Sequence, residues 1–339
     1  MEQREVLISV VIPAFNRREF LRDAVASVLG QTLPRSDFEL VVIKNFEEPD
    51  VDARRDEPGT KILWDDSLAI GAMLTRALDV CEGEVVCFLD DDDQFEPDKL
   101  SRIARLFRED PRRTFVHDAI APMDRLGHAL PDWGRLRTQP RVSYSVTSAS
   151  ERWTRTPDFF RNGVSVNLSA MSVRTSLLRT VADRFRQVEA SPDIFVFFAA
   201  LASEGTLWIE ARRLTRYRFH SSASHAEIDE GGWVSEARRL AREERTVELV
   251  EEMTRGKPAE TAGRGYAAEA RFQCYLMVPG APPPSWGQFA ELLRAAWARR
   301  QAYLASRALW ALAKRMAPRW ATQAYHRRSH DRHSPGGAP

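Results

Sequence analysis

The apolar positions in the first third of the chain fall into short runs separated by segments of helical period. Residues 7–14, 38–43, 61–64 and 85–89 are such runs, rich in β-branched and aromatic side chains. Runs of that length with little polar alternation predict strands buried on both faces. Between them, residues 18–29 place Phe20, Leu21, Val25 and Val28 on one helix face and stop at Gly30, and residues 69–81 form a second helical segment ahead of Gly83. Strands and helices alternating at this spacing predict right-handed βαβ units. The fold class is therefore α/β, a mainly parallel sheet flanked by helices, with a ligand expected along the carboxyl edge of the sheet.

Farther on the pattern loosens. Pro97 opens a helix over residues 98–107 from a first-turn position, and residues 114–119 read as a strand. Residues 125–160 are rich in Gly, Pro, Trp, Ser and Arg with little period, which predicts a long loop with a task. Trp133 and Trp153 within it can stack on a ligand or anchor the loop by packing. Residues 164–173 predict a strand and 174–185 a helix. Ser191 then caps a helix with Pro192 at its first position and Asp193 in its first turn, where the helix dipole favours a carboxylate.

After Gly231-Gly232 the chain changes character. Residues 233–253 and 267–277 predict helices, and a break follows at residues 279–284. Residues 285–320 are amphipathic, with Phe289, Leu292, Leu293, Trp297, Leu304, Leu309, Trp310 and Leu312 set against Arg294, Arg299, Arg300, Arg307, Lys314, Arg315 and Arg319. That segment suits an anionic membrane surface or a partner helix, and equally a helix packed on its own domain. The expected organisation is a domain over residues 1–225 with halves at 1–120 and 121–225, a helical extension over 226–325, and a disordered polar tail over 326–339.

Composition narrows the function classes. A chain of 339 residues with 43% hydrophobic content can bury a full core. A net charge of +1 argues against a general nucleic-acid partner. Cys81, Cys87 and Cys274 are an odd number without metal-ligand spacing and read as reduced thiols. The opening residues lack a signal pattern, and no apolar run approaches the roughly 18 residues of a membrane span. The expectation is a cytoplasmic protein, with peripheral contact on the inner face of a membrane open through residues 285–320.

The candidate chemistry sits at the end of the run over residues 85–89. Asp90, Asp91, Asp92 and Asp93 follow it directly. Four adjacent carboxylates repel one another, so a folded chain that carries them at a strand end calls for a cation. A hard divalent ion, Mg²⁺ or Mn²⁺, accepts one or two carboxylates and leaves its other positions to water and phosphate oxygens.

This stretch, with Phe88, Leu89, the four Asp, Pro97 and Leu100, resembles the Asp-x-Asp region of the family 2 glycosyltransferases, inverting enzymes of GT-A fold. The resemblance covers residues 6–222 and is strongest over 84–100. It implies that Asp90 and Asp91 face a nucleotide-diphospho-sugar donor and that Asp92 holds the metal. Pro13, Phe15 and Asn16 match the family's Pro-x-(Tyr or Phe)-Asn beside the donor base. Asp193 matches the base that takes the acceptor hydroxyl's proton, although Pro192 replaces the Glu that precedes it in the family. Arg218 and His220 fall in a segment similar to the family's Tyr-Arg-x-His, which implies phosphate neutralisation by Arg218 and completion of the metal site or a diphosphate contact by His220. The region over 125–160 would border the acceptor. Two departures stand out: Lys44-Asn45-Phe46 replaces the usual Asp-Asp-Gly-Ser, leaving Asn45 to face the base, and the Ala-Arg-Asn of the preceding helix is missing, leaving Arg76 as the nearby diphosphate contact.

The implied function is a metal-dependent inverting glycosyltransferase using a UDP-sugar, or a GDP- or dTDP-sugar, with a glycan, lipid-linked or small-molecule acceptor. Two alternatives stay open. One is a sugar-nucleotide-binding module without transfer activity; the other is a phosphatase of haloacid dehalogenase type, which also sets Asp-x-Asp after a buried strand.

Overall fold

The computed structural model describes residues 7–67, 69–132, 136, 138–220, 230–317 and 325. Four parallel strands build the first half: β1 (Ile8–Ala14), β2 (Phe38–Lys44), β3 (Thr60–Trp64) and β4 (Val85–Phe88). β1 lies between β2 and β4, with Val11 opposite both Val41 and Phe88. Neighbours along each strand point to opposite faces, and both faces are covered. Val11, Val41, Ile43, Val86 and Phe88 join one apolar cluster with α3 (Ile70–Val80), while Val10, Ile12, Leu40, Val42 and Cys87 join another with α1 (Leu21–Leu29) and α4 (Lys99–Glu109). That double coverage is why the strands read as unbroken apolar runs.

The mainly parallel expectation holds only there. Adding β5 (Gln94–Phe95), β6 (Arg113–Met123), β7 (Tyr144–Val146), β8 (Met171–Arg174) and β9 (Thr206–Arg218) gives a nine-stranded mixed sheet ordered β3-β2-β1-β4-β8-β6-β9-β5, with β7 on β9. β8 enters antiparallel between β4 and β6, directly after the short turn at Leu168–Ala170. All four parallel strands still end on one edge, and the strand order reverses beside β1 and β4, where open α/β sheets bind ligands.

Several local expectations need correcting. Residues 125–160 are not one loop: β7 and α5 (Ala149–Arg161) lie within them, α5 capped by Ser148, whose Oγ accepts the Glu151 N–H at 3.0 Å. Pro157 inside α5 hid its period. Trp133 falls outside the described residues. Only Met171–Arg174 of the strand expected over 164–173 forms, because Asn167 takes a left-handed φ of 69° and starts a tight turn. The helix over 174–185 is two pieces, α6 (Thr175–Thr180) and α7 (Ala182–Phe185). Pro97 precedes α4 rather than lying in its first turn.

α8 (Pro192–Leu201) starts at Pro192, but Ser191 does not cap it: Ser191 is left-handed, and its hydroxyl accepts from Arg239 at 3.2 Å. Phe195, Phe197 and Phe198 of α8 share a cluster with Val247 and Tyr266 of α9 (Glu230–Thr254) and α10 (Glu260–Met277), so the core continues past residue 225. The amphipathic segment is a hairpin, α11 (Trp286–Arg299) and α12 (Ala302–Met316), broken at Arg300 with φ 53°. Phe289, Leu292, Leu304, Ala308 and Ala311 pack with Phe272 of α10. Among the described residues no helix is long and apolar enough to cross a membrane.

Candidate active site

The acidic run leaves β4 at the sheet's carboxyl edge and divides its four carboxylates. Ligand oxygens of Asp90, Asp92 and Asp93 lie within 4.8 Å of one another. Asp91 turns away to the guanidinium of Arg17, which also reaches Asp92 at 2.8 Å. Arg17 follows Asn16 at the end of β1, so the parallel pairing of β1 with β4 brings it here. The expected ribose-side pair is thus split: Asp90 joins the metal-type cluster, and Asp91 holds Arg17.

Protonation follows from that division. Burial and the three neighbouring carboxylates push Asp90 well above its ordinary pKa. Burial raises Asp91 to about 6 against the pull of Arg17, and burial with Asp92 raises Asp93 to about 7. For Asp92, burial opposes the charge, yet the hydrogen bond with His220 and the charge of Arg17 prevail and hold its pKa below the usual value. Two of the three clustered carboxyls therefore resist ionisation for want of positive charge. An all-oxygen donor set in that state fits a hard divalent cation.

His220 reaches the cluster indirectly. Its Nε2 lies 3.0 Å from Asp92 Oδ2 and its ring packs on Phe20 at 4.7 Å, so it orients Asp92 instead of joining the cluster of oxygens. Arg218 is also placed differently from the phosphate contact implied by resemblance. It is buried, its guanidinium donating to Asp92 O at 2.8 Å, Arg125 O at 2.7 Å and Asp23 at 2.9 Å and stacking on Phe20, while its backbone N–H donates to Asp93 at 2.9 Å. Arg218 is a clamp on the acidic turn.

A second tier supports the turn from below. Ser169 Oγ donates to Asp93 at 2.7 Å and accepts the Asp90 N–H at 2.9 Å. Under it, the buried Lys99 ammonium donates to Asp118 at 2.7 Å, the Ser169 carbonyl at 2.6 Å and Thr215 Oγ1 at 2.7 Å.

Asp193 faces this cluster from the start of α8. Its carboxylate accepts the Asn167 N–H at 3.0 Å and the Ile194 N–H at 2.9 Å, and burial nevertheless raises its pKa. Asn167 also donates to Asp93 at 3.4 Å, tying the two carboxylates to one turn. Tyr217 feels both: burial and the charges of Asp93, Asp92, Asp90 and Asp193 raise its phenol pKa well above the usual value. Arg17, Asp93, Ser169, Asn167 and Tyr217 were not singled out from sequence; Asp93 and Tyr217 stood inside the motifs, whereas Arg17, Ser169 and Asn167 carry no pattern.

The other expected donor contacts gather at the ends of β1, β2 and β3. Pro13 is within β1, and Phe15 packs on the core face. Asn16 and Asn45 pair with each other: the Asn16 N–H donates to Asn45 Oδ1 at 2.8 Å and Asn45 Nδ2 donates to Asn16 Oδ1 at 2.9 Å. The Asn45 oxygen expected to meet a base is thus engaged by Asn16. Lys44, replacing an Asp of the family pattern, is buried against Asp52 at 2.9 Å. Arg76 is apart from the acidic run, 3.1 Å from Asp65 at the end of β3.

Comparisons with known proteins agree with this geometry. Residues 9–160 match the family model described as Glycosyl transferase family 2. The chain is 29% identical over 105 residues to the putative teichuronic acid biosynthesis glycosyltransferase TuaG of Bacillus subtilis, covering 28% of this chain and 40% of that one. It is 26% identical over 133 residues to chondroitin synthase of Escherichia coli, covering 38% and 19%. The chain spans less than half the length of these curated relatives. Among solved structures, S. aureus TarS 1–349 is similar over 95% of this chain and 91% of that one, at TM-score 0.56 and 15% identity. The same protein in complex with UDP-GlcNAc matches over 91% of each chain at TM-score 0.52, again with 15% identity. These likenesses make the architecture a GT-A fold and remove the haloacid dehalogenase alternative. Residues 9–160, somewhat under half of the chain, thus match the glycosyl transferase family 2 model, and the fold of the chain is that of these glycosyltransferase-like structures.

Proposed function

We propose that the chain is a metal-dependent, inverting glycosyltransferase that moves a sugar from a nucleotide-diphospho-sugar to an acceptor hydroxyl. The observation that carries this reading is the Asp90, Asp92 and Asp93 oxygen cluster at the end of β4, with Asp193 facing it from α8. Mg²⁺ or Mn²⁺ held by Asp92 with Asp90 and Asp93 would supply positive charge to the diphosphate leaving group. Arg17 and His220 hold Asp92 ionised for that task. Asp193 takes the acceptor proton: two backbone N–H groups aim its carboxylate, and burial moves its basicity toward working pH.

A UDP-sugar is the favoured donor, since a structure of the same fold holds UDP-GlcNAc. The names of the relatives support a sugar acceptor in polysaccharide synthesis. Free, buried Cys81 and Cys87 support a cytoplasmic location. The test is Asp193→Asn, assayed for donor binding by thermal shift with UDP-sugars and Mn²⁺ and for transfer by product formation. Transfer should fall about 10²- to 10⁴-fold in kcat, with donor binding retained. Near wild-type transfer would remove Asp193 as the base, and donor binding without transfer in the unaltered protein would favour the binding-module reading.

A further inference from the structure

The α11 and α12 hairpin buries one side and leaves the other bare. Phe289, Leu292, Leu304 and Ala308 face α10. On the opposite side, Trp286, Leu293 and Trp297 recur along one stripe of α11, and Leu309 and Met316 along one stripe of α12, at helical spacing. Those five account for most of the nine large apolar side chains exposed among the described residues, with Trp297 and Met316 each 86% exposed. Trp286 rests one side on Phe289, ring centroids 5.2 Å apart, and on the Arg315 guanidinium at 5.1 Å, while the stripe as a whole faces solvent.

Charge identifies what covers it. Residues 285–339 hold ten Lys and Arg against only Glu291 and Asp331, a net charge of +8 in a chain whose total is +1, which leaves residues 1–284 at −7. Exposed Arg294 and Arg300 flank Leu293 and Trp297. We infer that the outer face of this hairpin docks on an anionic lipid bilayer, its Trp and Leu side chains entering the interface and its Arg side chains meeting lipid phosphates. A second copy of the chain fits less well, because a twofold interface would set the exposed Arg294 and Arg300 of one hairpin against those of the other. The inference stands apart from the transferase reading and is tested without an activity assay.

The test is co-sedimentation of the full chain with vesicles of phosphatidylglycerol and phosphatidylcholine, and with vesicles of phosphatidylcholine alone. The chain should partition onto the anionic vesicles and leave them as salt rises. Arg294→Gln and Arg300→Gln should each weaken partition roughly fivefold. Trp286→Ala with Trp297→Ala should weaken it at least tenfold, on the order of the loss expected from two buried aromatic surfaces, and Trp297→Ala alone, at a side chain 86% exposed, should weaken it with an unchanged melting temperature. Wild-type partition by the double Trp variant would overturn the proposal. So would equal binding to phosphatidylcholine alone, or a dimer in solution that the same Trp variant dissociates.

Discussion

Replacing Lys99 with Met tests the polar post beneath the acidic turn. Lys99 and Asp118 are fully buried, and at their 2.7 Å separation two unit charges attract by about 6 kcal/mol for an effective dielectric near 20. Much of that offsets the cost of burying both charges. Removing one partner leaves the other behind, which typically costs about 3–5 kcal/mol. The upper part of that range applies, since the Ser169 carbonyl would keep only its 3.2 Å hydrogen bond from Thr215.

The loss should also depend on pH in a set direction. Burial raises the Asp118 pKa even with Lys99 and Thr215 pulling it down, and Lys99→Met removes the larger of those pulls. The folded pKa then lies above the unfolded one, so the penalty is full at alkaline pH and fades as pH falls through the folded value. Urea unfolding midpoints of wild type and Lys99→Met at pH 8 and pH 5 measure the deficit and its change. Lys99→Met with Asp118→Asn should recover at least about 2 kcal/mol, because no charge is then stranded. A deficit under about 1 kcal/mol, or one that neither acid nor the double variant reduces, would refute the reasoning.

Burial pushes His117 down to about 4, below its unfolded value near 6.5, so stability should fall by on the order of 3 kcal/mol as pH drops through that window; His117→Gln should flatten the slope in urea titrations at pH 7 and pH 4.5. A Cβ on Gly71 would stand 1.9 Å from the Phe185 carbonyl oxygen, and Gly71→Ala should cost about 1–3 kcal/mol, read as a lower melting temperature. Mn²⁺ added after chelator treatment should raise the wild-type melting temperature, and Asp92→Asn should abolish that rise while keeping the fold.

The first half of the fold was legible because every strand of β1 to β4 is covered on both faces, so its sequence is apolar whichever way a side chain points. The acidic run was legible for the opposite reason: four adjacent carboxylates conflict with any local explanation. What stayed hidden depends on contacts distant in sequence or on single residues. The turn at Asn167 rests on one left-handed residue, which no period signals. Ser169 matters only because folding sets it under Asp93, 76 positions away. His220 and Arg218 were found by pattern, but pattern could not tell a metal or phosphate contact from a side chain that positions Asp92.

The arrangement of charge around the turn accounts for how the chain tolerates four adjacent carboxylates. Four carboxylates at one strand end would oppose folding if all were left alone. Arg17 offsets Asp91 and Asp92, and its own pKa is raised by them against the lowering effect of burial. Asp93 is steadied by neutral donors, the Ser169 hydroxyl and the Arg218 N–H, which lower the cost of its charge without supplying a positive one. Asp90 is held through its backbone, its N–H donating to Ser169 Oγ at 2.9 Å and its carbonyl accepting the Asp93 N–H at 3.1 Å, while burial and the neighbouring carboxylates push its carboxyl well above the ordinary value. The unmet demand for positive charge is therefore concentrated on Asp90 and Asp93. Arg17 is already paired with Asp91 and Asp92, and a neutral ligand would leave that demand unmet. On the proposed reading, a divalent ion held there would supply that charge and neutralise the diphosphate leaving group, while Asp193 would serve the acceptor hydroxyl on the opposite side of the anomeric carbon.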